Sequence, residues 1–440
     1  MDLLVVGAGY VGLTTAAVFA GLRHRVTVQD LDPERVAALN AGRSPIFEPG
    51  LDDAIAEHTA GGRLLFTTSV DPSVSTALAF VCVPTPASDD GLLDTSIVES
   101  VVSRLRGSMA AGGTIAVRST LPLHGPERLE AVVGDAAGPA VVINPEFMRE
   151  GHALADAGHP SRVVVGWLRP ADEPGARAVA ELYAPLEAPT IVADARSVVL
   201  LKLASNVFLA AKIAFADELA RFSDAIGADV GTVVDGLGLD PRIGRAFLEA
   251  GPGFGGSCLP EQADTIAVEA SRWGIRAPLM GTIGTSNRVH QEEIVATLAR
   301  MLEGGINGAR IALLGLAFKA NTDDVRHSPA LVLGRALRAA GADVVGYDPV
   351  AAGAAERADP ELVTAGSVPE AVNGADATVV VTEWAEFREL DWVAIAAAMR
   401  GDLIYDTRRI VDAQAVADAG LRYAGLGRGG PALRSGSAAR

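Results

Sequence analysis

Two glycine-rich stretches in this chain stand where backbone amides could meet a ligand. The first, Gly7-Ala8-Gly9-Tyr10-Val11-Gly12, follows the apolar run Leu3 to Val6 and opens a stretch of helical character. Glycines there allow a tight turn and let a helix N-terminus approach a pyrophosphate. Alone, the motif is a weak signal. Asp30 strengthens it: about twenty residues on, at the end of the second apolar run, its carboxylate is placed to bond ribose hydroxyls and to repel a 2′-phosphate, which favours NAD over NADP. Arg35, just beyond, suits either the adenosine side of a nucleotide or a solvated helix face. The second stretch is Gly251-Pro252-Gly253-Phe254-Gly255-Gly256-Ser257-Cys258. Its backbone can lie against a ligand and its amides can polarise a developing oxyanion, so Cys258 reads as a reactive group. Cys82, inside the apolar run Phe80 to Val83, reads as a buried structural residue.

Weaker signals surround these two. Lys202 and Asn206 are four apart on a predicted helix and share a face. Aimed into a cleft they could steady an alkoxide or thiohemiacetal oxygen; by themselves they suit a solvated helix face. Asn144-Pro145-Glu146-Phe147-Met148-Arg149-Glu150 follows a predicted strand. Ligands sit beyond the carboxyl ends of parallel strands, so Glu146 and Glu150 are candidate site carboxylates, against the plainer reading of solvated loop charges. Ser119-Thr120 ends the preceding strand at the equivalent edge. Towards the C-terminus, Phe318-Lys319 and Asp323-Asp324-Val325-Arg326 follow another strand and offer cations to a pyrophosphate. The seven histidines lack metal-ligand spacing, and no metal is expected.

The elements that must position these residues follow from the apolar pattern. Strands are predicted at Leu3 to Val6, Arg25 to Asp30, Leu64 to Thr67, Ala79 to Val83, Thr114 to Val117 and Val141 to Asn144, with helices between, the first over Tyr10 to Gly21. Such alternation implies βαβ units and a parallel sheet. Val198 to Ile226 has no Pro or Gly and carries apolar residues at helical spacing. Helical pattern then continues to about Leu302. After Gly304-Gly305 the alternation returns, with strands at Ile311 to Leu314, Asp343 to Tyr347, Thr378 to Thr382 and Leu403 to Tyr405. The plan is α/β: two doubly wound, Rossmann-like domains, residues 1–195 and 305–428, joined by a central helical segment, 196–304, that suits dimerisation and an intramolecular core role about equally, with an unstructured tail over 429–440. Bulk properties set outer limits. A length of 440 residues allows two or three cores. A net charge of −17 argues against a nucleic-acid partner. Two isolated cysteines favour a reducing, cytoplasmic setting. The N-terminus reads as strand and turn rather than a signal peptide, and no apolar run reaches the length needed to cross a membrane.

Taken together, these blocks closely resemble the UDP-glucose/GDP-mannose dehydrogenase family. The likeness runs over GAGYVGL at Gly7, LNAGRSPIFEPGL at Leu39, VCVPTP at Val81, RSTLP at Arg118 and NPEFMREG at Asn144. It continues through KLASNVFLAAKIAFADE at Lys202, PRIGRAFLEAGPGFGGSC at Pro241 and GLAFKANTDDVRHSP at Gly315. The resemblance implies a four-electron oxidation of a nucleotide sugar at C6 with two NAD, UDP-glucose being preferred over a UDP-N-acetylhexosamine, GDP-mannose or a TDP-sugar. Cys258 is then the nucleophile, forming a thiohemiacetal and a thioester that water opens. By the family's motifs, Lys202 and Asn206 hold the oxyanion or a water, with Thr120 and Glu146 aiding proton transfer. Gly7, Gly9, Tyr10, Val11, Gly12, Asp30, Arg35, Thr85, Thr120, Glu150 and Arg326 are expected beside NAD. Glu146 to Glu150, including Phe147, Met148 and Arg149, are expected on the sugar nucleotide with Lys202, Asn206, Phe247, Leu248, Gly251, Gly255, Phe318 and Lys319. Arg242 is expected to reach the partner's site in a homodimer.

The likeness departs just after the cysteine. Leu259-Pro260-Glu261-Gln262 stands where the family usually has Lys-Asp as the last two residues. Glu261 reverses a charge, and Gln262 occupies a catalytic position but cannot act as a base; loss of one general base typically costs about 10²–10⁴-fold in rate. Val199 replaces a frequent Glu, and Asp406-Thr407-Arg408-Arg409 has Arg where many relatives carry Asn. Two rivals remain: a β-hydroxyacid dehydrogenase, which needs neither Cys258 nor a second nucleotide domain, and a sugar-nucleotide-binding paralogue disabled at Glu261 and Gln262.

Overall fold

The computed structural model describes residues 1–69, 77–86, 91–134 and 137–429. The predicted tail lies, from residue 430 on, outside the described residues. The chain forms two compact units, Met1–Ser205 and Asn206 onward.

The first unit is built on β1 (Asp2–Val6), β2 (Arg25–Gln29), β3 (Leu64–Thr67), β4 (Leu78–Val81), β5 (Thr114–Val117), β6 (Ala140–Ile143), β7 (Val163–Trp167) and β8 (Thr190–Asp194). Their order is β3-β2-β1-β4-β5-β6-β7-β8. All neighbours are parallel except β6 and β7. Alternation with period two sorts β1 between two cores. Leu3 and Val5 pack with Leu13, Phe19 and Ile55 on one face. Leu4 and Val6 pack with Val98, Leu105, Val198 and Leu203 on the other. The order reverses between β1 and β4, and the carboxyl ends of those two strands open the crevice that such sheets use for ligands.

The second unit repeats the plan with β9 (Arg310–Leu314), β10 (Asp343–Tyr347), β11 (Val363–Thr364), β12 (Ala377–Val380), β13 (Leu403–Asp406) and β14 (Arg422–Gly425). Their order is β11-β10-β9-β12-β13-β14, all parallel. Its core also takes in helical residues that precede the sheet, among them Ala216, Ala220, Val230, Val234, Ile294 and Leu298.

One expectation is corrected. The helix Ala195–Ile226, 32 residues long, is long and apolar enough to cross a membrane by length and composition. From Val198 to Ala216 its charges are Lys202 and Lys212 alone. Much of that apolarity is used inside the protein: Val198, Val199 and Leu203 lie in the first unit's core and Ala216 and Ala220 in the second's.

Candidate active site

Two of the three glycines in the first turn are required by the fold. Gly7 has φ +104°, and a Cβ there would lie 2.5 Å from the Cys82 carbonyl oxygen. A Cβ on Gly12 would lie 1.9 Å from the Gly7 oxygen. Gly9 differs: a Cβ there would meet nothing within 4 Å, so packing does not demand glycine. The space lies at the first turn of the Tyr10–Gly21 helix, whose N-cap, Gly9, makes no side-chain hydrogen bond. An open cradle facing uncapped amides fits a pyrophosphate. Asp30, at the end of β2, accepts from the Ala8 N–H at 2.8 Å, from the Asp32 N–H at 3.0 Å and from Arg35 Nη1 at 3.2 Å. Burial would raise its carboxyl, but those donors outweigh burial and hold it below the ordinary carboxylate value. Asp30 is therefore an anion that repels a 2′-phosphate, and these residues fit NAD.

Tyr10 is turned to a structural task. Its hydroxyl donates to Glu48, and the Tyr10 and Glu48 oxygens each accept from the Gly151 N–H at 2.7 Å. Burial first, then Glu48, pushes the phenol well above its ordinary value. The turn is thus tied to the loop after β6. Val11 packs against the core. Thr85 and Thr120, after β4 and β5, are half-buried along the same strand edge, and Glu150, after β6, is half-buried too.

Beyond β6, Glu146 and Lys202 meet. Lys202 Nζ donates to Glu146 Oε1 at 2.8 Å, and the Met148 N–H donates to Oε2 at 2.7 Å. Lys202 is 4% exposed and Glu146 8%. Burial would raise the Glu146 carboxyl; the Lys202 ammonium, the Met148 N–H and the Arg118 charge outweigh it and hold it low. Glu146 is therefore ionised near neutral pH. Phe147 backs the pair, with Lys202 Nζ 5.2 Å and the Arg162 guanidinium 3.9 Å from its ring centre. Met148 Sδ accepts from Thr14 Oγ1 at 3.5 Å. Arg149 makes a bidentate pair with Asp156.

In the second unit, Asn206 is buried on the long helix. The loop that carries Cys258 is fixed along its length. Gly251 N–H donates to Asp217 Oδ1 at 2.8 Å. Asn287 brackets Phe254, accepting from its N–H at 2.9 Å and donating to its carbonyl at 3.1 Å. The Gly256 N–H donates to the Arg326 carbonyl at 2.9 Å. A Cβ on Gly255 would lie 2.5 Å from the His327 carbonyl oxygen, and one on Gly256, at φ +81°, 2.9 Å from the Phe318 ring. Cys258, half-buried, is the first residue of the helix Cys258–Arg272, whose N-cap Ser257 makes no side-chain cap bond. A helix N-terminus favours the thiolate. Gln262, one turn on, is 5% exposed, and its Oε1 has no hydrogen-bond partner among the described residues. Burial raises the Glu261 carboxyl, with His327 and Arg326 opposing and Asp324 adding to the rise.

The remaining predicted residues lie in the same unit. Phe247 holds a left-handed backbone at φ +63°, and Leu248 is a core residue. Lys319 Nζ lies 5.5 Å from the Phe318 ring centre. Arg326 pairs with Asp324, and Arg242, largely exposed, with Asp240. The residue types alone did not single out Glu48, Arg118, Asp217, Asn287 or His290. Asp217 had one available signal, since eleven residues from Asn206 returns to the same helix face.

Family models match almost end to end: the NAD-binding domain of the UDP-glucose/GDP-mannose dehydrogenase family over residues 1–187, its central domain over 196–289 and its UDP-binding domain over 312–413. The chain is 38% identical to a UDP-glucose 6-dehydrogenase of Rhizobium meliloti over 97% of this chain and 100% of that one. It is 37% identical to a UDP-glucose 6-dehydrogenase of Pseudomonas aeruginosa, over 97% of this chain and 98% of that one. Among solved structures, a UDP-glucose dehydrogenase from Pyrobaculum islandicum superposes with TM-score 0.88 at 34% identity, covering 97% of each chain. A UDP-D-ManNAc dehydrogenase from Pyrococcus horikoshii does so with TM-score 0.84 at 28% identity, over 98% of this chain and 100% of that one. With its two nucleotide-binding sheets and matches to all three domains, the chain belongs to the UDP-glucose/GDP-mannose dehydrogenase family and is an NAD-dependent oxidoreductase of nucleotide sugars.

Proposed function

We propose that the protein oxidises UDP-glucose to UDP-glucuronate through a covalent thioester on Cys258. The observation that carries this is the seat of Cys258, a half-buried thiol at a helix start, behind a loop whose backbone is pinned at Gly251, Phe254 and Gly256. The Gly7–Gly12 turn and Asp30 would hold NAD, which would supply the hydride acceptor, used twice for each acid formed. Glu146, kept ionised by Lys202, takes the proton of the C6 hydroxyl directly or through water. Cys258 Sγ adds to the aldehyde carbon, and Lys202 and Asn206 steady the resulting oxyanion. Loss of a second hydride from that carbon turns the thiohemiacetal into the thioester, which water then opens, releasing the acid and the free thiol. The relatives named UDP-glucose 6-dehydrogenases support UDP-glucose as the sugar nucleotide.

A homodimer accompanies this reading. Phe208, Phe215 and Phe222 recur every seven residues on the long helix and are 67%, 52% and 66% exposed, a stripe suited to pairing with its own copy. A cytoplasmic setting completes it. Gln262 favours one alternative, a paralogue that binds sugar nucleotide without completing hydrolysis. Purified protein with NAD and a panel of nucleotide sugars decides between them. Two NADH per UDP-glucose, with acid product lost in Cys258→Ser, supports the proposal. One NADH per sugar, or acid from Cys258→Ser, overturns the thioester route; binding without NADH identifies the paralogue.

A further inference from the structure

Behind Gly251 lie a buried acid and a buried histidine that the reaction above does not use. Asp217, on the long helix, accepts from the Gly251 N–H at 2.8 Å. His290, on the helix Ile283–Met301, places Nε2 2.7 Å from the Gly251 carbonyl oxygen. A carbonyl only accepts, so Nε2 carries the hydrogen and donates. One peptide unit is therefore gripped at its N–H and the next at the Gly251 carbonyl. Asp217 and His290 are each 1% exposed, and Nε2 lies 3.8 Å from Oδ1. Each also has a buried atom with no hydrogen-bond partner among the described residues: Asp217 Oδ2 and His290 Nδ1.

The charges facing the pair do not neutralise it. Glu218 and Arg221 face it from the long helix and Arg408 from the loop after β13. Glu218 accepts from Ser286 Oγ at 2.6 Å. Arg408 donates to the Val381 and Phe318 carbonyls and pairs with Glu383. From the His290 helix, the nearby Asn287 and Gln291 are neutral. An isolated anion or cation at this depth is costly, whereas one proton held between the two groups leaves the pair neutral overall.

We propose that Asp217 and His290 are positioning residues that share one proton, and that while they hold it they clamp Gly251 and set the loop leading to Cys258. Burial fits this, pushing Asp217 up to about 8 and His290 down to about 4. Loss of the proton strands an anion with no cation in contact. That anion draws in water or pulls the Nε2 hydrogen away from the Gly251 carbonyl, and one of the two grips is lost. The link to catalysis rests on Cys258 being the nucleophile; the clamp itself does not.

Hydrogen exchange on the full chain tests the clamp, reading the segment 249–258 against strand residues 311–314 of the same unit as a folding control. Corrected for intrinsic rate, wild-type protection of that segment should fall about ten-fold between pH 6.5 and pH 9, as the proton-holding fraction does. Asp217→Asn keeps a hydrogen-bonding group and removes the titrating carboxyl, so its protection should change less than about two-fold, whereas His290→Gln retains that carboxyl and should retain the fall. A flat wild-type profile, or the wild-type fall in Asp217→Asn, overturns the proposal. Should Asp217→Asn lower protection in the control strand as well, His290→Ala carries the comparison: with one grip gone, its protection at pH 6.5 should already lie near the wild-type value at pH 9, and an unchanged value overturns the clamp. A kinetic arm follows kcat/KM for UDP-glucose: an alkaline limb near pH 8 in wild type and none in Asp217→Asn is expected, and an unchanged limb overturns the role in catalysis. Absence of turnover in wild type would instead sink the UDP-glucose reading and leave the exchange result to decide the clamp.

Discussion

Replacing Lys202 by Met would strand a carboxylate in the interior. Met keeps the apolar stem and removes the ammonium that donates to Glu146 Oε1 at 2.8 Å. Glu146, 8% exposed, is left with the Met148 N–H and the more distant Arg118 charge. Removing one member of a buried ion pair typically costs about 3–5 kcal/mol. For a unit of this size each kcal/mol moves the melting temperature by about 2–4 °C, so the first unit should lose roughly 6–20 °C near pH 7. The pH dependence carries a sign. With Lys202 present the Glu146 carboxyl lies below its unfolded value, so its stabilisation is present above that value and lost as pH falls through the folded one. In Lys202→Met burial dominates and the carboxyl rises, so Glu146 can take a proton and the cost of the substitution should shrink towards pH 5. Lys202→Met with Glu146→Gln strands no charge and should recover most of the loss. Scanning calorimetry at pH 5 and pH 7 on the wild type, the single variant and the double variant measures all of this. A cost under about 1 kcal/mol at pH 7, or a double variant no more stable than the single one, would refute the reasoning.

Gly9→Ala should leave stability within about 0.5 kcal/mol while weakening NAD binding at least ten-fold, whereas Gly12→Ala should destabilise the first unit by more than about 2 kcal/mol; melting curves and NAD titrations separate the two. The Asp217–His290 pair predicts a particular pH profile of stability. Between about pH 4 and 6.5 the folded pair and the unfolded chain each hold one proton and the contribution is flat; from 6.5 to 8 the folded state alone holds it, and stability should fall by about 2 kcal/mol, a slope that Asp217→Asn should remove in denaturant titrations. Gln262→Asp should raise the rate of acid formation by about ten-fold or more if a missing base limits hydrolysis; a fall would show the site rebuilt around the amide. Phe215→Glu should convert a dimer to monomers in light scattering with little change in melting temperature, and an unchanged mass would remove the helix stripe as the interface.

Local signals in the sequence were the readable ones. The Tyr10–Gly21 helix, β3, β5 and β10 have the predicted bounds because each pairs an apolar run with a turn signal at its end. The antiparallel β7 and the edge strand β8 were not singled out; β8 is largely exposed at its start and so has little apolar pattern to read. The turn before Tyr10 and the loop before Cys258 are legible for the same local reason. What holds them is not. Gly151 is joined to Tyr10 across 141 positions, and Gly251 to Asp217 and His290 across 34 and 39. Asp217 and His290 in particular sit in helical patterns where a polar residue ordinarily marks the solvent face, and only tertiary packing turns them inward.

The two sheets share a strand order, yet their second strands end in acids with different fates. Asp30 accepts from Ala8, Asp32 and Arg35, which leaves a carboxylate with room for another donor. Asp348, after β10, accepts from the amides of Leu316, Ala317, Val350 and Ala351 and is closed over by the Trp384 indole N–H at 3.0 Å. Its lone pairs are saturated and it is 4% exposed. An enzyme that handles two nucleotides faces a sorting problem, because either one in the other's cradle is an inhibitor. A duplicated scaffold would make that mistake easy. With the second acid occupied by its own backbone and by Trp384, a carboxylate with room for a further donor stands at the end of the second strand in one sheet and not in the other.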